Sequence, residues 1–350
     1  MSRYPLVFLV LALSGCSSLA YYGQSVNGQL GVMAASRPVE DVVADPQTPE
    51  SVRQHLQALP SLRRFAVEEL SLPETDSYRL YADVKREALV WNVVAAPVDS
   101  LTPREWCYLV LGCTAYRGYF DKQAAIDFAA GLAAEGWDTA IDPVPAYSTL
   151  GWFSDPLPST IIEWPLPDIA GLLFHELAHE ALYVKGDSSF NEAYAMVVEK
   201  EGVRRWLEQQ GSEQQRSERR RHEQRRLEFL QLLAQTRGRL ATLYAAGAER
   251  EELLSRKRAI LQLLRDEYAK LKQGWGGYGG YDRWMDRPLN NAHLASVNTY
   301  YALEPAFRHI LQQHHGSMAA FQASCAEIAA SPAVQRKAIM NDLLEAAKKD

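Results

Sequence analysis

Asp168-Ile-Ala-Gly-Leu-Leu-Phe-His-Glu-Leu-Ala-His-Glu-Ala-Leu-Tyr183 is the stretch on which the reading of this chain turns. It holds His175-Glu176-Leu177-Ala178-His179, two histidines four residues apart around a glutamate. On an α-helix, residues i and i+4 share a face, so both imidazoles reach one ion. Glu176 sits slightly off that face, near enough to hold a water without being a ligand. The flanks read as helix: Asp168, after Pro167, is the expected N-cap, and Ile169, Leu172, Leu173, Leu177 and Leu182 offer an apolar stripe for burial. The competing reading is a packing helix with two histidines, one of them facing solvent. Against it, an apolar helix with two His and a Glu must satisfy those polar groups, and Zn²⁺ would do so.

H-E-x-x-H is the pattern of zinc peptidases, whose site needs a third protein ligand and an open position for water. The metzincin solution places Gly at 182 and His at 185; this chain has Leu182 and Lys185. The other common solution is a Glu on a second helix. Ser189-Phe-Asn-Glu-Ala-Tyr-Ala-Met-Val-Val-Glu199 supplies Glu192, with Lys185 to Ser189 as the turn back. Ser189-x-x-Glu192 also fits a capping box, and Glu199, on roughly the same face, is the rival ligand.

Trp106-Cys, Gly112-Cys, Tyr116-Arg-Gly-Tyr-Phe120, Ala146-Tyr-Ser-Thr-Leu-Gly-Trp-Phe153, the His175–His179 motif and Asn191-Glu192-Ala193 together carry a closer resemblance. From about residue 17 to the C-terminus the chain resembles the bacterial family of predicted zinc-dependent aminopeptidases, of gluzincin type. The resemblance implies a zincin-like core, His175, His179 and Glu192 as metal ligands, and Glu176 as general base. An aminopeptidase also needs an anion for the substrate's α-amine; Glu163, Glu180 and Glu199 are the candidates.

Away from the motif, the 350 residues are 47% hydrophobic and 23% charged, ordinary for a globular protein of one large domain or two moderate ones. A net charge of -6 gives no reason to expect nucleic acid as a partner. Arg3, the apolar run Leu6 to Leu13 and then Leu13-Ser-Gly-Cys16 resemble a signal peptide ending in the lipobox of bacterial lipoproteins. The run is too short to span a bilayer. Acylated Cys16 would anchor the chain, and Ser17 rather than Asp after it points to the outer membrane, facing the periplasm. In such an oxidising compartment Cys107 and Cys113 are expected to pair, leaving Cys325 as a buried thiol.

Residues 36–70 read as helical. Tyr78 to Tyr81, Ala88 to Ala95 and Trp137 to Ile141 read as strands, and Lys122 to Glu135 as an amphipathic helix. Ser159 to Trp164 is expected to be a strand; in several zinc peptidase folds the strand before the metal helix is an exposed edge to which a peptide adds. Leucines spaced along residues 203–273, broken at Ala245-Ala-Gly-Ala248, predict a long antiparallel hairpin of coiled-coil character projecting from the body. Its arginines between Arg216 and Arg226, mixed with acids, are expected to form a solvated face or to meet a protein partner. Gly274 to Asp282 is an aromatic loop and a candidate lid. Tyr281, His293, Tyr300 and Tyr301 are candidate donors to a reaction oxyanion.

The expected organisation is α+β: signal peptide 1–16, zincin-like core with a small mixed sheet 17–206, helical hairpin 207–273, and a helical part 274–350 completing the catalytic domain. The expected function is a lipid-anchored zinc peptidase, an aminopeptidase or an endopeptidase of the same mechanism. The rival is a zinc-stabilised, non-catalytic scaffold whose hairpin binds a protein.

Overall fold

The helix bearing His175 and His179, α5 (Leu166–Ala181), begins ahead of Asp168 in the computed structural model, which describes residues 21–108 and 112–349, the side chains of 298–300 excepted. Asp168 is therefore an acid in the first turn rather than the N-cap, and its charge meets the positive end of the helix. Pro167 is tolerated there because amides of the first turn have no helical acceptor to lose. Ile169, Leu173, Phe174 and Leu177 are buried, and Phe174 stacks on Phe65 of α3 (Glu50–Leu70) with ring centroids 5.6 Å apart.

α6 (Ser188–Gln210) packs along α5. Gly202 permits the approach: a Cβ there would lie 2.6 Å from the Phe174 ring and 2.7 Å from Leu70. With α3, α11 (Glu304–Gln313), α12 (Met318–Ala330) and α13 (Ala333–Ala347), the pair encloses the largest core. Cys325 is buried in it as a free thiol.

One small sheet positions the site. β3 (Val90–Pro97) pairs antiparallel with β6 (Arg117–Tyr119) on one side and β7 (Trp137–Val144) on the other. The period of two sorts its side chains: Trp91, Val93 and Ala95 pack toward α4 (Lys122–Ala134), while Val90, Asn92 and Val94 face a cavity. A second sheet joins β1 (Ser36–Pro38), β2 (Leu80–Ala82) and β8 (Leu157–Pro158), mixing antiparallel and parallel pairs. β4 (Trp106–Tyr108) and β5 (Gly112–Thr114) form a ribbon joined by a Cys107–Cys113 disulfide.

Two expectations fail here. Ser159 to Trp164 is a 3₁₀ turn and bend, not an edge strand. Its polar residues bond to loops: the Ser159 hydroxyl accepts the Val84 amide at 3.0 Å and Thr160 donates to the Pro145 carbonyl at 2.6 Å. Ile161 and Ile162 enter the main core, so the apolar run that mimics a strand is a buried turn feeding α5.

The hairpin also differs. α7 (Glu213–Ala245) and α8 (Arg250–Gly274) are antiparallel, but they lie on the body rather than project from it. Lys257 is buried, paired with Asp138 of β7 and donating to the Val98 carbonyl at 2.9 Å. Tyr244 donates to Asn291, and Arg237 to the Leu294 carbonyl, both 2.8 Å and both on α10 (Asn291–Tyr301). The arginine run is a solvated face only in part: Arg220 and Arg221 are exposed, but others turn inward. Arg226 is buried between Glu223 and Glu304, and Arg216 bonds the Gly211 carbonyl at 2.6 Å. The glycine-rich loop is tied to α7 as well: Tyr281 stacks on Phe229 at 4.0 Å, and Trp275 donates to Glu228 at 2.6 Å.

Candidate metal centre

His175 and His179 come from adjacent turns of α5, and Glu192 from the second turn of α6. The connector between the helices is held in shape by Asn191, buried, whose side chain accepts the Val184 amide at 2.8 Å and donates to the Val184 carbonyl at 2.9 Å. Asp187 caps α6 through the Phe190 amide and is itself bonded by Arg336 at 2.9 Å. The cap at Asp187 leaves Ser189 inside the helix, so Glu192 is not used in a capping box.

Ligand atoms of His175, His179 and Glu192 lie within 4.8 Å of one another. Nε2 of His179 is 3.2 Å from Nε2 of His175, and a Glu192 oxygen lies 3.4 Å from the first-named motif histidine, His175, and 3.7 Å from His179. Ligand bonds of about 2.0–2.1 Å at tetrahedral angles would separate donor atoms by about 3.3 Å, so this set fits a zinc-sized ion. Glu199 is not in the set. It lies 3.1 Å from Nδ1 of His175, on the far side of the ring, and accepts its proton. That bond leaves Nε2 of His175 as the lone-pair nitrogen facing His179 and Glu192. Nδ1 of His179 is buried with no hydrogen-bond partner among the described residues.

The acids of the site favour positive charge between them, a proton on His175 or a cation in its place. Burial works against charge at His175, but its bonds to Glu192 and Glu199 outweigh it and lift the imidazole pKa well above the ordinary value. Burial likewise opposes ionisation of Glu192, yet the two histidines hold it down at about 2. Glu176 is raised, by burial first, with both histidines pulling the other way.

The site opens on a cavity of about 1160 Å³ lined by His175, Glu176, His179, Glu192 and Glu199, by Asn92 of the sheet, and by Arg219 and His222 of α7. Of the expected oxyanion donors, Tyr301 lines this cavity. Tyr281 and His293 are not among its lining residues: Tyr281 is stacked on Phe229, and Nδ1 of His293 lies 3.0 Å from Asn290. The Tyr300 side chain lies outside the described residues. Tyr116, just before β6, was not foreseen in this role. It lines the cavity, and burial, with the neighbouring Glu192, Tyr183 and Glu176, pushes its phenol far up, so it stays a donor. Its only sequence signal was its place in the Tyr116–Phe120 motif.

Of the three candidate amine anchors, only Glu199 lines the cavity. Glu163 is exposed, Glu180 is not among the lining residues, and Glu199 is engaged with His175. Cys16 lies outside the described residues.

Residues 20–340 match the family described as "Putative aminopeptidase". The chain belongs to this family. Its description names a peptidase activity, and hence a peptide as substrate. Against that family background, the His175–His179–Glu192 cluster is a group able to hold a metal ion. No curated protein and no solved structure matches the chain.

Proposed function

We propose that this member of the aminopeptidase family is a zinc-dependent peptidase with a zincin-like core, removing residues from peptide N-termini. The observation that carries the reading is the convergence of His175, His179 and Glu192 beside Glu176 on an open cavity. A structural zinc site would instead be closed by four protein ligands. Zinc bound there would act as a Lewis acid and acidify water. Glu176, held in a buried wall, accepts the proton of the attacking water and delivers it to the leaving amine. Tyr116 donates to the developing oxyanion. Glu199 fixes the tautomer of His175. We also propose that Cys16 is acylated and anchors the chain to the outer membrane on its periplasmic side.

The test compares metal content and peptide hydrolysis of wild type and Glu176→Gln on peptides with free and blocked N-termini. One zinc per chain in both proteins, with cleavage of free N-termini lost only in the variant, supports the reading. Cleavage of blocked peptides would make it an endopeptidase. Bound zinc with no cleavage by either protein would favour a non-catalytic scaffold, and no bound metal would end the proposal.

A further inference from the structure

Residues 21–34 form a helix, α1, without a single charged side chain, and among the described residues it is docked by one flank. On that flank Tyr21 stacks on Tyr108 at 5.6 Å, and Gln24 accepts the Phe120 amide at 3.1 Å. Val32 is buried with Ala82 and Leu89. Gly28 leaves room for the Phe120 ring, which any Cβ would strike. The other flank carries Tyr22, Val26, Leu30 and Met33, exposed by 41%, 60%, 57% and 43%. Steps of four, four and three residues put these side chains in one stripe. An apolar stripe left facing water marks a surface meant to be covered.

The chain ahead of α1 says by what. Residues 1–20 hold the apolar run Leu6 to Leu13 and then Cys16. From Cys16 to Tyr21 the backbone spans at most about 18 Å. An acylated Cys16 would therefore hold the start of α1 within that distance of the lipid headgroups, at high local concentration. We propose that α1 lies in the bilayer surface, with Tyr22, Val26, Leu30 and Met33 at the boundary of headgroups and acyl chains. The partner is lipid, and the contact is apolar: α1 brings no charge, and the whole chain carries -6. No described helix is long and apolar enough to cross a membrane, so α1 lies on the bilayer rather than spanning it. Tyr21 and Ser25 of the same helix line the catalytic cavity, which the docked helix sets beside the lipid. The proposal rests on the acylation of Cys16 proposed above.

The full lipidated chain is placed in phosphatidylcholine nanodiscs with a spin label at Leu30→Cys, and a control label at Glu252→Cys on α8. The expected result is a Leu30 label open to oxygen and shielded from a water-soluble nickel chelate, equally at low and high salt, with the control showing the reverse. A Leu30 label as open to the chelate as the control overturns the proposal. Shielding accompanied by label–label broadening that grows with protein concentration overturns it in favour of a second copy of the chain. Mass spectrometry of the same sample reads acylation separately. An unlipidated Cys16 removes the premise and the proposal with it, whereas a lipidated chain with Leu30 in water overturns the docking alone.

Discussion

Nδ1 of His175 on α5 donates to the Glu199 carboxylate on α6 across 3.1 Å, seven residues beyond Glu192. On the proposed reading, this bond makes Glu199 a partner of a ligand rather than a ligand itself. Glu199→Gln should weaken zinc binding by about 10–100-fold while leaving the fold intact. Glu192→Gln, which removes a proposed ligand, should weaken it more. Chelator competition measures both, and the opposite ranking would exchange the two roles.

Tyr116→Phe should lower kcat by about 10²–10³-fold with KM little changed, since the phenol is needed only when charge develops on the oxygen. Tyr301→Phe is the comparison, because Tyr301 lines the same cavity. If only the Tyr301 variant loses turnover, the donor is Tyr301.

Asn191→Ala should cost about 2 kcal/mol, because it strands the Val184 amide and carbonyl in a buried connector. Urea unfolding reads this as a lower midpoint with an unchanged slope.

Gly112 sits at φ +79°, and a Cβ there would lie 2.7 Å from the backbone nitrogen of Gly186, in the connector that leads to Glu192. Gly112→Ala should therefore destabilise by about 1–3 kcal/mol and lower zinc occupancy together. Gly131→Ala is the counterpart: it lies in α4 with open space around it and should stabilise by about 0.5–1 kcal/mol. Equal effects at the two glycines would remove the steric argument.

His293 is buried, and that burial, helped by Arg287 and Arg265 and opposed by Asp142 and Asp138, holds its pKa down at about 4. Unfolded, it titrates near about 6.5. Between those values the unfolded chain binds a proton that the folded chain refuses. Its stability contribution is thus full above pH ~6.5 and falls as the pH drops toward ~4. Relative to His293→Gln, wild type should lose up to about 3 kcal/mol between pH 7 and 4. A flat difference across that window would place the imidazole in water.

Periodic segments were legible in the sequence. The leucines of α7 and α8 announce their helices because each has one face to bury, and β3 is announced by its β-branched and aromatic composition, being buried along nearly its whole length. Ser159 to Trp164 misled because an apolar run looks the same whether it enters a sheet or a buried turn. Arg226 misled because its partner Glu304 is 78 residues away and no local pattern predicts that pairing. Within the site, helical spacing led directly to His175, Glu176 and His179, while Tyr116 depends on a chain crossing that only the folded sheet shows.

The cavity wall joins parts of the chain that are far apart in sequence: Tyr21 and Ser25 from α1, and Ser296, Val297 and Tyr301 from α10. These residues meet only after nearly the whole polypeptide has been made and folded, a closure of high contact order. A nascent or partly folded chain can contain the His175–His179 helix yet lack a finished site. On the proposed function, hydrolytic competence would then arrive late in folding and all at once, with the completed cavity rather than with the motif helix.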